Sequence, residues 1–519
     1  MLKLRILADD MRHPWKWTTG RWLSGSSWVE PFCHPMTAQH FLTDGRRTAL
    51  INTACTVGSP EGLTRVHAAN AALYDEAVGT VLDHNDDWVM VETCTDGRVR
   101  VLTGTSGTAP VYLTARPDAL YGSWDLLELR RHSVSLDVVE VARRISLSAR
   151  YTNATFWSDV HLLTERACVL YTQGKVSLHL PEPAEHSRAR ILRDGRCPVD
   201  AFDQLLSGTI RRSPWKAGST AVQLSGGIDS TNTALALGND ERGSGLVAAA
   251  LILDGERGTQ QTRRRRTVIG HIDRDWADVT VRAEDHLPYA PGSIFAQQVP
   301  VSPYGDLYLD AVDALHTQLE QRGVEAVFTG IGGDELMAFT SAEAPQRSVP
   351  LSQLPAWIGP AAREALRDVD AGITPASVVP ETALMAKAGV APPLLKRGMW
   401  PVHPLTAPAL VRLCEWAPVD WREDKRLLRT RIDRRGMAPE IARPPIPENF
   451  GTIMALAMSQ HGAGRVRRLL DEGSPLLDAR LLDPQALRAV ADRLDSGEAQ
   501  RADREVVFAL LADSAVTMR

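Results

Sequence analysis

The hydrophobic positions of this 519-residue chain follow two different patterns. Over the first 180 residues, short runs of alternating apolar and polar residues are separated by turn residues, as in WVMVETCTDGRVRVLTG (88–104). An alternation with a period of two is typical of strands that bury one face, and the TDGR and TQGK junctions are typical of hairpin turns. We therefore expect a β-rich or α+β unit in this part of the chain.

From about residue 200, continuous apolar runs alternate with stretches that favour helix. These runs are TAVQL (220–224), LVAAALIL (246–253), DVTV (278–281) and EAVFTG (325–330). Apolar strands that alternate with helices predict a parallel sheet with helices on both faces. After about residue 350 the pattern is mostly helical. A polar, proline-bearing segment at 181–198 separates the two patterns, so we expect one unit over residues 1–185 and a second over residues 200–519.

Composition narrows the class of protein. A hydrophobic content of 44% and a charged content of 23% fit a soluble globular chain. The net charge of -5 gives no general attraction to nucleic acid, and no stretch approaches the roughly 20 apolar residues of a membrane span. We therefore expect neither a nucleic-acid partner nor a membrane span. The scattered cysteines without a CxxC pair, and the acids Asp9 and Asp10 where a signal peptide would be apolar, favour a cytoplasmic location.

The stretch SGGIDS (225–230) follows the first apolar strand of the second unit. In open α/β sheets, ligands bind at the carboxyl ends of strands. Gly226 and Gly227 let the backbone approach a phosphate closely, and the N–H groups of the following helix point towards it. The carboxylate of Asp229 would repel a phosphate, so its presence indicates a divalent cation between the two anions.

A second glycine motif, GIGGDE (330–335), follows another predicted strand. Because the carboxyl ends of parallel strands meet at one edge of a sheet, Asp229 and Asp334 can share one magnesium ion. SGGIDS resembles the pyrophosphate loop of the ATP pyrophosphatases, which cleave ATP between the α- and β-phosphates. The two motifs, in this order and about 100 residues apart, resemble the synthetase domain of the asparagine synthetase family, over roughly residues 200–455.

A third match lies downstream. WREDKRLLRTRI followed by APEIARPPI is similar to that family's K-x-x-L-R helix and its L-P-x-x-x-x-R-P segment, and supplies Lys425, Leu428, Arg429, Arg443 and Pro444. The resemblance implies ATP and Mg²⁺, with a cation that neutralises the α-phosphate and the oxyanion of acyl transfer. The residues thereby assigned to the nucleotide are Leu224, Ser225, Gly226, Gly227, Asp229, Ser230, Leu251, Gly330 and Lys425, with Asp229 and Asp334 as metal ligands and Lys425 also catalytic.

The first unit carries fragments similar to the family's glutaminase-like domain, VRVLTGTSGTAPVYL and LYGSWDLLEL. Glutamine-using members begin with a cysteine directly after the initiator Met, where the α-amine serves as the base of the thiol. Here residue 2 is Leu2 and the first cysteine is Cys33. We therefore expect an α+β, Ntn-type sandwich without glutamine hydrolysis, followed by a doubly wound parallel-sheet ATP pyrophosphatase domain with helical additions.

An enzyme that forms an acyl-adenylate but makes no ammonia must take its amine from the substrate. Two branches of the family fit: β-lactam synthetases, and lasso-peptide cyclases, which join a peptide's N-terminal amine to an Asp or Glu side chain. The β-lactam branch carries a tyrosine where this chain has Ile331. The segment WPVHPLTA, with Ala407 in place of an aspartate, is similar to the lasso type. The resemblance therefore favours a lasso-peptide cyclase with a precursor peptide as substrate, and a leader peptidase and leader-binding protein as further partners.

Several alternatives remain open. The chain could instead be a small-molecule amide synthetase of the β-lactam or asparagine type, or an inert scaffold that binds nucleotide or peptide. Glu381 lies where β-lactam synthetases place a catalytic glutamate, so it is the candidate general base, with a helix N-cap as the alternative. Tyr304 and Asp306 either line the acyl pocket or form an ordinary turn. The arginine run at 260–266 is expected to be a solvated helix face or a patch for an acidic partner.

Overall fold

The computed structural model describes residues 1–59, 62–133, 135–172, 174–297, 299–338, 350–446 and 448–517. The elements of the first unit are β1 (Leu2–Leu7), β2 (Lys16–Thr18), β3 (Arg21–Ser24), β4 (Ser27–Pro31), β5 (Thr37–Thr43), β6 (Arg47–Ala54), β7 (Leu63–His67), α1 (Ala71–Asp83), β8 (Trp88–Cys94), β9 (Val99–Thr103), β10 (Tyr112–Ala115), β11 (Ala119–Ser123), α2 (Leu126–Leu129), α3 (Val138–Ile145), β12 (His161–Leu162), β13 (Cys168–Thr172) and β14 (Lys175–His179).

The second unit begins with a helix and continues to the end of the described chain. Its elements are α4 (Pro198–Arg212), β15 (Thr220–Gln223), α5 (Ile228–Gly238), β16 (Val247–Ile252), α6 (Gly255–Ile272), β17 (Ala277–Arg282), α7 (Leu309–Gln321), β18 (Ala326–Phe328), α8 (Gly333–Met337), α9 (Pro360–Ala365), α10 (Glu381–Leu395), β19 (Trp400–Val402), α11 (Pro408–Trp416), α12 (Val419–Arg422), α13 (Arg426–Arg434), α14 (Pro439–Ala442), α15 (Gly451–Ala457), α16 (Ala463–Glu472), α17 (Pro475–Asp478), α18 (Pro484–Ser496), α19 (Arg501–Arg504) and α20 (Val507–Thr517).

The first unit is a sandwich of two sheets. In the part of the chain that the structure describes, their strand orders are β12-β10-β11-β1-β4-β3-β2 and β14-β13-β9-β8-β6-β5-β7. In β6, Leu50 enters the core between the sheets, while its neighbours Ala49 and Ile51 pack with residues of α1. The predicted alternation therefore buries one face against the other sheet and the opposite face against a helix. The narrower assignment as an Ntn-type sandwich stays a prediction.

Both expected hairpins join antiparallel strands. The TDGR turn connects β8 and β9, and its Gly97 has φ +91, a conformation that favours glycine. The TQGK turn contains Gln173, which lies outside the described residues, but the flanking strands β13 and β14 pair antiparallel. The turn signals in the sequence therefore mark strand pairs correctly.

Position 2 holds a core side chain. Leu2 lies in β1 and is fully buried in the core between the sheets. Cys33, the first cysteine, is an exposed residue just beyond β4, and partial desolvation of its thiol together with the charge of Glu30 raises the pKa of that thiol. A thiol with a raised pKa is a weak nucleophile near neutral pH. Neither position supplies an activated nucleophile.

The segment between the two units is bound along its length. Residues 180–197 contain neither helix nor strand. The Ala184 N–H donates to the carbonyl of Ala376 over 2.7 Å, and the Arg190 N–H donates to the carbonyl of Trp416 over 2.9 Å. This segment therefore follows the surface of the second unit instead of hanging free.

The second unit is built on a parallel sheet whose described strands have the order β17-β16-β15-β18-β19. The first four of these strands along the chain coincide with the four apolar runs, so those predictions are confirmed. β19 was not predicted, because a three-residue strand that contains proline carries no recognisable alternation. The chain runs outward from β15 through β16 to β17, then crosses back to β18 on the other side of β15. Ligands bind where the strand order reverses in this way, so the loops after β15 and β18 border the expected crevice.

The two units pack against each other. The Phe32 ring, from the first unit, stacks on that of Trp400 in β19 with ring centroids 6.0 Å apart. The C-terminal helix α20 packs on α3 of the first unit, and both belong to one hydrophobic cluster. The six cysteines, all within the described ranges, form no disulfide. No described helix is both long and apolar enough to cross a membrane.

Candidate active site

The loop after β15 turns sharply into α5. Gly226 has φ +90, which favours glycine, and Gly227 is the N-cap of α5. The Ser225 hydroxyl oxygen accepts a hydrogen bond from the Gly227 N–H over 3.1 Å and lies 3.1 Å from the Ser230 hydroxyl. The loop is therefore held by its own side chains, with the N-terminus of an 11-residue helix facing the crevice.

The second glycine motif packs directly on the first. A Cβ atom added to Gly330 would lie 2.9 Å from the backbone nitrogen of Ser230. A Cβ added to Gly333 would lie 2.2 Å from the Cγ of Asp229, inside any van der Waals contact. These glycines are required because the two strand ends approach each other so closely. The contact holds the Asp229 carboxyl beside the start of α8.

Lys425 completes the site from a third part of the chain. Its Nζ lies 2.9 and 2.7 Å from the two carboxylate oxygens of Asp229. The same Nζ lies 2.5 Å from Oδ1 of Asp334. Residues that are about 100 positions apart from one another in sequence thus meet around a single ammonium group.

The turn that carries Lys425 is strained. Asp424 and Lys425 have φ +47 and +53, a conformation that costs a non-glycine residue about 1–3 kcal/mol. The Arg429 guanidinium stabilises this turn, because it donates to the backbone oxygen of Asp424 over 2.5 Å and to its carboxylate over 2.9 Å. Arg431 then holds α13 against α5, because it donates to the side-chain and backbone oxygens of Asn232 in α5 over 2.9 and 3.0 Å. The predicted K-x-x-L-R motif therefore positions the lysine.

Burial and the neighbouring charges set the ionisation of the pair. Burial raises the pKa of Asp229 to about 6, although the Lys425 ammonium acts in the opposite direction. Burial would lower the pKa of Lys425, but the carboxylates of Asp229 and Asp334 outweigh it and the pKa is raised. Asp334 is far more accessible, with 80% of its side chain exposed against 17% for Asp229. One carboxylate is therefore partly buried with the lysine, and the other remains open to solvent.

The donor atoms fit a magnesium ion that also contacts phosphate. Mg²⁺ commonly binds through one or two carboxylates, with phosphate oxygens and water as the other ligands. Asp229 and Asp334 supply two carboxylates that already surround one cation. No group of three or more His, Cys, Asp or Glu side chains that could hold a metal occurs in the described ranges. A metal here would thus need oxygen atoms from a ligand, and the magnesium assignment stays a prediction.

The other residues assigned to the nucleotide lie at or near the same sheet edge. Leu224 is fully buried between β15 and the loop. Leu251 is buried in β16, where its carbonyl accepts a hydrogen bond from the Gln261 side chain over 2.8 Å. Both side chains belong to hydrophobic clusters, so they support the loop from within the core.

Glu381 lies in a different neighbourhood. It opens α10, and the charges with which it interacts are those of His186 and Tyr151. By contrast, the charges that act on Asp229 come from Lys425 and its acidic neighbours. The structure therefore groups Glu381 with the segment between the units, and its role as general base stays a prediction.

The candidate acyl-pocket residues pack against the first unit. The Tyr304 hydroxyl lies 3.4 Å from a carboxylate oxygen of Glu140 in α3, and Arg144 donates to the carbonyl of Gly305 over 3.3 Å. Burial raises the pKa of Asp306, with the Arg144 charge opposing it, and burial also raises that of Tyr304. Tyr304 and Asp306 thus belong to a buried contact between the two units.

The prediction of a solvated arginine face is wrong for two of its members. Arg264 and Arg265 are each 1% exposed, whereas the arginines on either side of them are exposed. Their stems lie against the pyrophosphate loop: a Cβ on Gly226 would meet them at 3.5 and 3.6 Å. The Arg264 guanidinium is 2.5 Å from a carboxylate oxygen of Glu448, a residue that no motif identified. The run spans more than one helix face, and one face meets the site.

The segment after β18 contacts the segment after β19. The Thr329 hydroxyl lies 2.7 Å from Nδ1 of His403, and burial lowers the pKa of that histidine, so the ring is neutral. A Cβ on Gly332 would lie 2.7 Å from the Thr406 methyl group. The WPVHPLTA segment, with Ala407 at its end, therefore packs on the second glycine motif. The sequence pattern indicates this segment but carries no signal for β19 within it.

A cavity of about 800 Å³ opens at the N-terminal end of α6 and is lined by Asp254, Gly255, Thr259 and Arg263 among others. The pyrophosphate loop packs on the opposite side of α6, against Gln261 and the buried arginines. The helix therefore separates this cavity from the cluster around Lys425.

Comparison with known proteins finds a family similarity for part of the chain. Residues 201–398 match the family model for asparagine synthase, so this part of the chain is similar to that family. It includes the pyrophosphate loop and the second glycine motif, whereas Lys425 lies beyond it. No curated protein matches the chain.

Solved structures add only distant similarities. One is the U34-tRNA thiolase NcsA from Methanococcus maripaludis, at 13% identity and a TM-score of 0.25, over 57% of this chain and 80% of that chain. Another is NMN synthetase from Francisella tularensis, at 15% identity and a TM-score of 0.19, over 49% of this chain and 98% of that chain. Similarities of this size carry no weight for fold or function.

Replacing Gly333 with alanine should weaken the binding of ATP with Mg²⁺ at least about tenfold, which is 1.4 kcal/mol. The added methyl group would displace the Asp229 carboxyl, whereas the helical backbone of α8 accepts alanine. Isothermal titration calorimetry measures the affinity, and thermal melting shows that the protein is folded. Gly270→Ala in α6, where a Cβ meets no atom within 4 Å, is the matched control and should bind normally.

The Asp229 carboxyl should also change how the free energy of unfolding depends on pH. Its pKa is about 6 in the folded protein and about 3.9 in an unfolded chain, so the folded state binds more protons between these values. The contribution of Asp229 to the free energy of unfolding therefore falls as pH rises from about 4 to 6. Relative to the wild type, Asp229→Asn should gain stability over this interval and then level off, measured by urea unfolding. If the stability gain of Asp229→Asn over the wild type instead shrinks as pH rises, the attraction to Lys425 outweighs burial in setting the pKa of Asp229.

Proposed function

We propose that the chain is an ATP-dependent amide-forming ligase that activates a carboxylate as an acyl-adenylate. The observation that carries the proposal is the meeting of Asp229, Asp334 and Lys425 at the carboxyl ends of β15 and β18. The match of residues 201–398 to asparagine synthase supports the same reaction class. An inert nucleotide-binding scaffold would not need a partly buried lysine held in a strained turn.

The residues around the loop would hold the phosphates of ATP. The N–H groups at the start of α5 and the hydroxyls of Ser225 and Ser230 are donors that suit phosphate oxygens. Asp229 and Asp334 would hold Mg²⁺, which when bound neutralises phosphate charge as pyrophosphate leaves. Lys425 exchanges a carboxylate partner for the α-phosphate, and then stabilises the oxyanion formed when the amine attacks.

We infer that the amine belongs to the substrate itself. Leu2 is a core residue and the thiol of Cys33 has a raised pKa, which supports a first unit that makes no ammonia. The resemblance of the WPVHPLTA segment to the lasso type, together with Ile331 where the β-lactam branch carries a tyrosine, favours the lasso-peptide cyclase over other family branches. The substrate would then be a precursor peptide whose Asp or Glu side chain joins its own N-terminal amine. Orienting the two groups within one molecule can lower the barrier by about 7–11 kcal/mol.

The cellular setting follows from this proposal. A lasso-peptide cyclase would act in the cytoplasm on a precursor from which a leader has been removed, so a leader peptidase and a leader-binding protein are its expected partners. A small-molecule amide synthetase, the second candidate, would use the same phosphate residues. The two differ in the acyl acceptor, which a direct assay distinguishes.

Asp229→Ala and Asp334→Ala should each abolish ATP–pyrophosphate exchange supported by an acceptor peptide, because each removes a ligand of the metal. Lys425→Met should lower ring closure on the order of 10²–10³-fold, because the oxyanion loses its cation. Exchange is followed with labelled pyrophosphate, and ring closure by the loss of one water from a peptide with an N-terminal glycine and an internal Asp or Glu.

Arg426→Met is the matched control for Lys425→Met. Arg426 is the next residue, pairs with Asp420 over 2.5 Å and is about half exposed. The Arg426→Met variant should close the ring at the wild-type rate. Normal exchange by either aspartate variant would remove the metal assignment, and exchange with small amino acids but no peptide would favour the second candidate.

Glutamine should not be hydrolysed. Residue 2 is a leucine buried in the core between the sheets, where glutamine-using members carry a nucleophilic cysteine, so glutamate release should stay at the level of a buffer blank. A coupled glutamate dehydrogenase assay measures this with ATP and peptide present. Glutamate formation above the blank would assign the first unit an amidotransferase role.

A further inference from the structure

Glu448 lies directly against the pyrophosphate loop. Its Oε1 is 2.5 Å from Nη2 of Arg264. A Cβ on Gly227 would lie 3.6 Å from Oε2 and 3.2 Å from the Ser225 hydroxyl oxygen. Burial raises the pKa of this carboxyl, and the Ser225 hydroxyl acts to lower it. A carboxylate is thus seated among a serine hydroxyl, a buried guanidinium and the N-terminus of α5, a set of donors that suits an anion.

The guanidinium beside it is incompletely satisfied. Arg264 is 1% exposed, yet its Nε and Nη1 have no hydrogen-bond partner in the described part of the chain. Nη1 of the neighbouring Arg265 is also without a partner there, but Nη2 of that arginine is bound to Asp278 in β17 and to the Ala248 carbonyl in β16. A buried donor without an acceptor typically costs about 1–3 kcal/mol, so an additional acceptor beside Arg264 would be stabilising. A phosphate group brings more acceptor oxygens than one carboxylate.

Burial and a neighbouring acid make Glu448 a poor permanent occupant. Asp229, in the glycine motif of the pyrophosphate loop, adds a like negative charge, although Arg264 and Arg265 contribute opposing positive charges. Burial raises the pKa of Glu448, although the Arg264 charge opposes this effect. The carboxylate is therefore held by Arg264 and Ser225 against burial and against a like charge.

We propose that the Glu448 carboxylate occupies the position of a phosphate group, and that the pyrophosphate portion of ATP must displace this carboxylate to bind. On displacement Arg264 exchanges the carboxylate for phosphate oxygens, and its unpaired N–H groups gain acceptors. This inference rests on the proposed function and adds two residues to it: Arg264 binds pyrophosphate, and Glu448 competes with it. The return of Glu448 then favours the release of pyrophosphate after adenylation.

Glu448→Gln tests the competition while keeping the shape of the side chain. Removing the charge should lower the Kd for pyrophosphate with Mg²⁺ roughly tenfold, because the ligand no longer displaces an ion-paired carboxylate. Glu448→Ala should act in the same direction. Arg264→Met should raise the Kd roughly tenfold or more, also in the Glu448→Gln background, because it removes a charged donor to phosphate. Isothermal titration calorimetry on the full chain gives each value, and thermal melting checks the fold.

Glu440→Gln is the matched control. Glu440 pairs with Arg263, the residue before Arg264, over 2.6 Å, but this pair lies on the exposed side of the helix. The Kd of the Glu440→Gln variant for pyrophosphate should equal that of the wild type. An unchanged or higher Kd for folded Glu448→Gln and Glu448→Ala overturns this proposal alone, provided that the wild type exchanges pyrophosphate into ATP. A wild type that binds neither pyrophosphate nor ATP and shows no exchange overturns the proposed function as well.

Discussion

The ammonium group of Lys425, held between two carboxylates, is the interaction on which the site depends. It joins the loop after β15, the loop after β18 and the turn before α13, which are far apart in sequence. These three segments approach one another closely. A side chain at position 333 would collide with Asp229, so Gly333 is required there, and Lys425 has a left-handed backbone conformation. A partly buried ion pair of this kind contributes little net stability, because desolvation offsets attraction. Such a costly arrangement is typical of a functional site.

The site also neutralises its own charges. Lys425 fills a cation position between Asp229 and Asp334, and Glu448 fills an anion position beside Arg264. Magnesium pyrophosphate carries both kinds of charge, so under our proposals one ligand would take over both positions. This view explains why a buried arginine keeps unpaired donors and why a carboxylate lies against a loop suited to phosphate.

The first unit contributes structure to the second. The aromatic contact between Phe32 and Trp400 braces β19, the strand that precedes the WPVHPLTA contact with the second glycine motif. Tyr304, for which the sequence leaves an acyl pocket and an ordinary turn open, reaches Glu140 of α3. A sandwich without a nucleophile at residue 2 therefore still makes packing contacts that support the second unit.

The sequence by itself determined the elements whose signals are local. Continuous apolar runs marked four parallel strands, and glycine–acid motifs at two strand ends identified Asp229 and Asp334, because parallel strands share one carboxyl edge. The tertiary structure decided what depends on distant contacts. Whether an arginine of α6 is solvated or buried depends on which face meets the loop, and Glu448 enters the site only because the chain folds back from α14. No local pattern encodes such a meeting, since its cause is the packing of elements far apart in the chain.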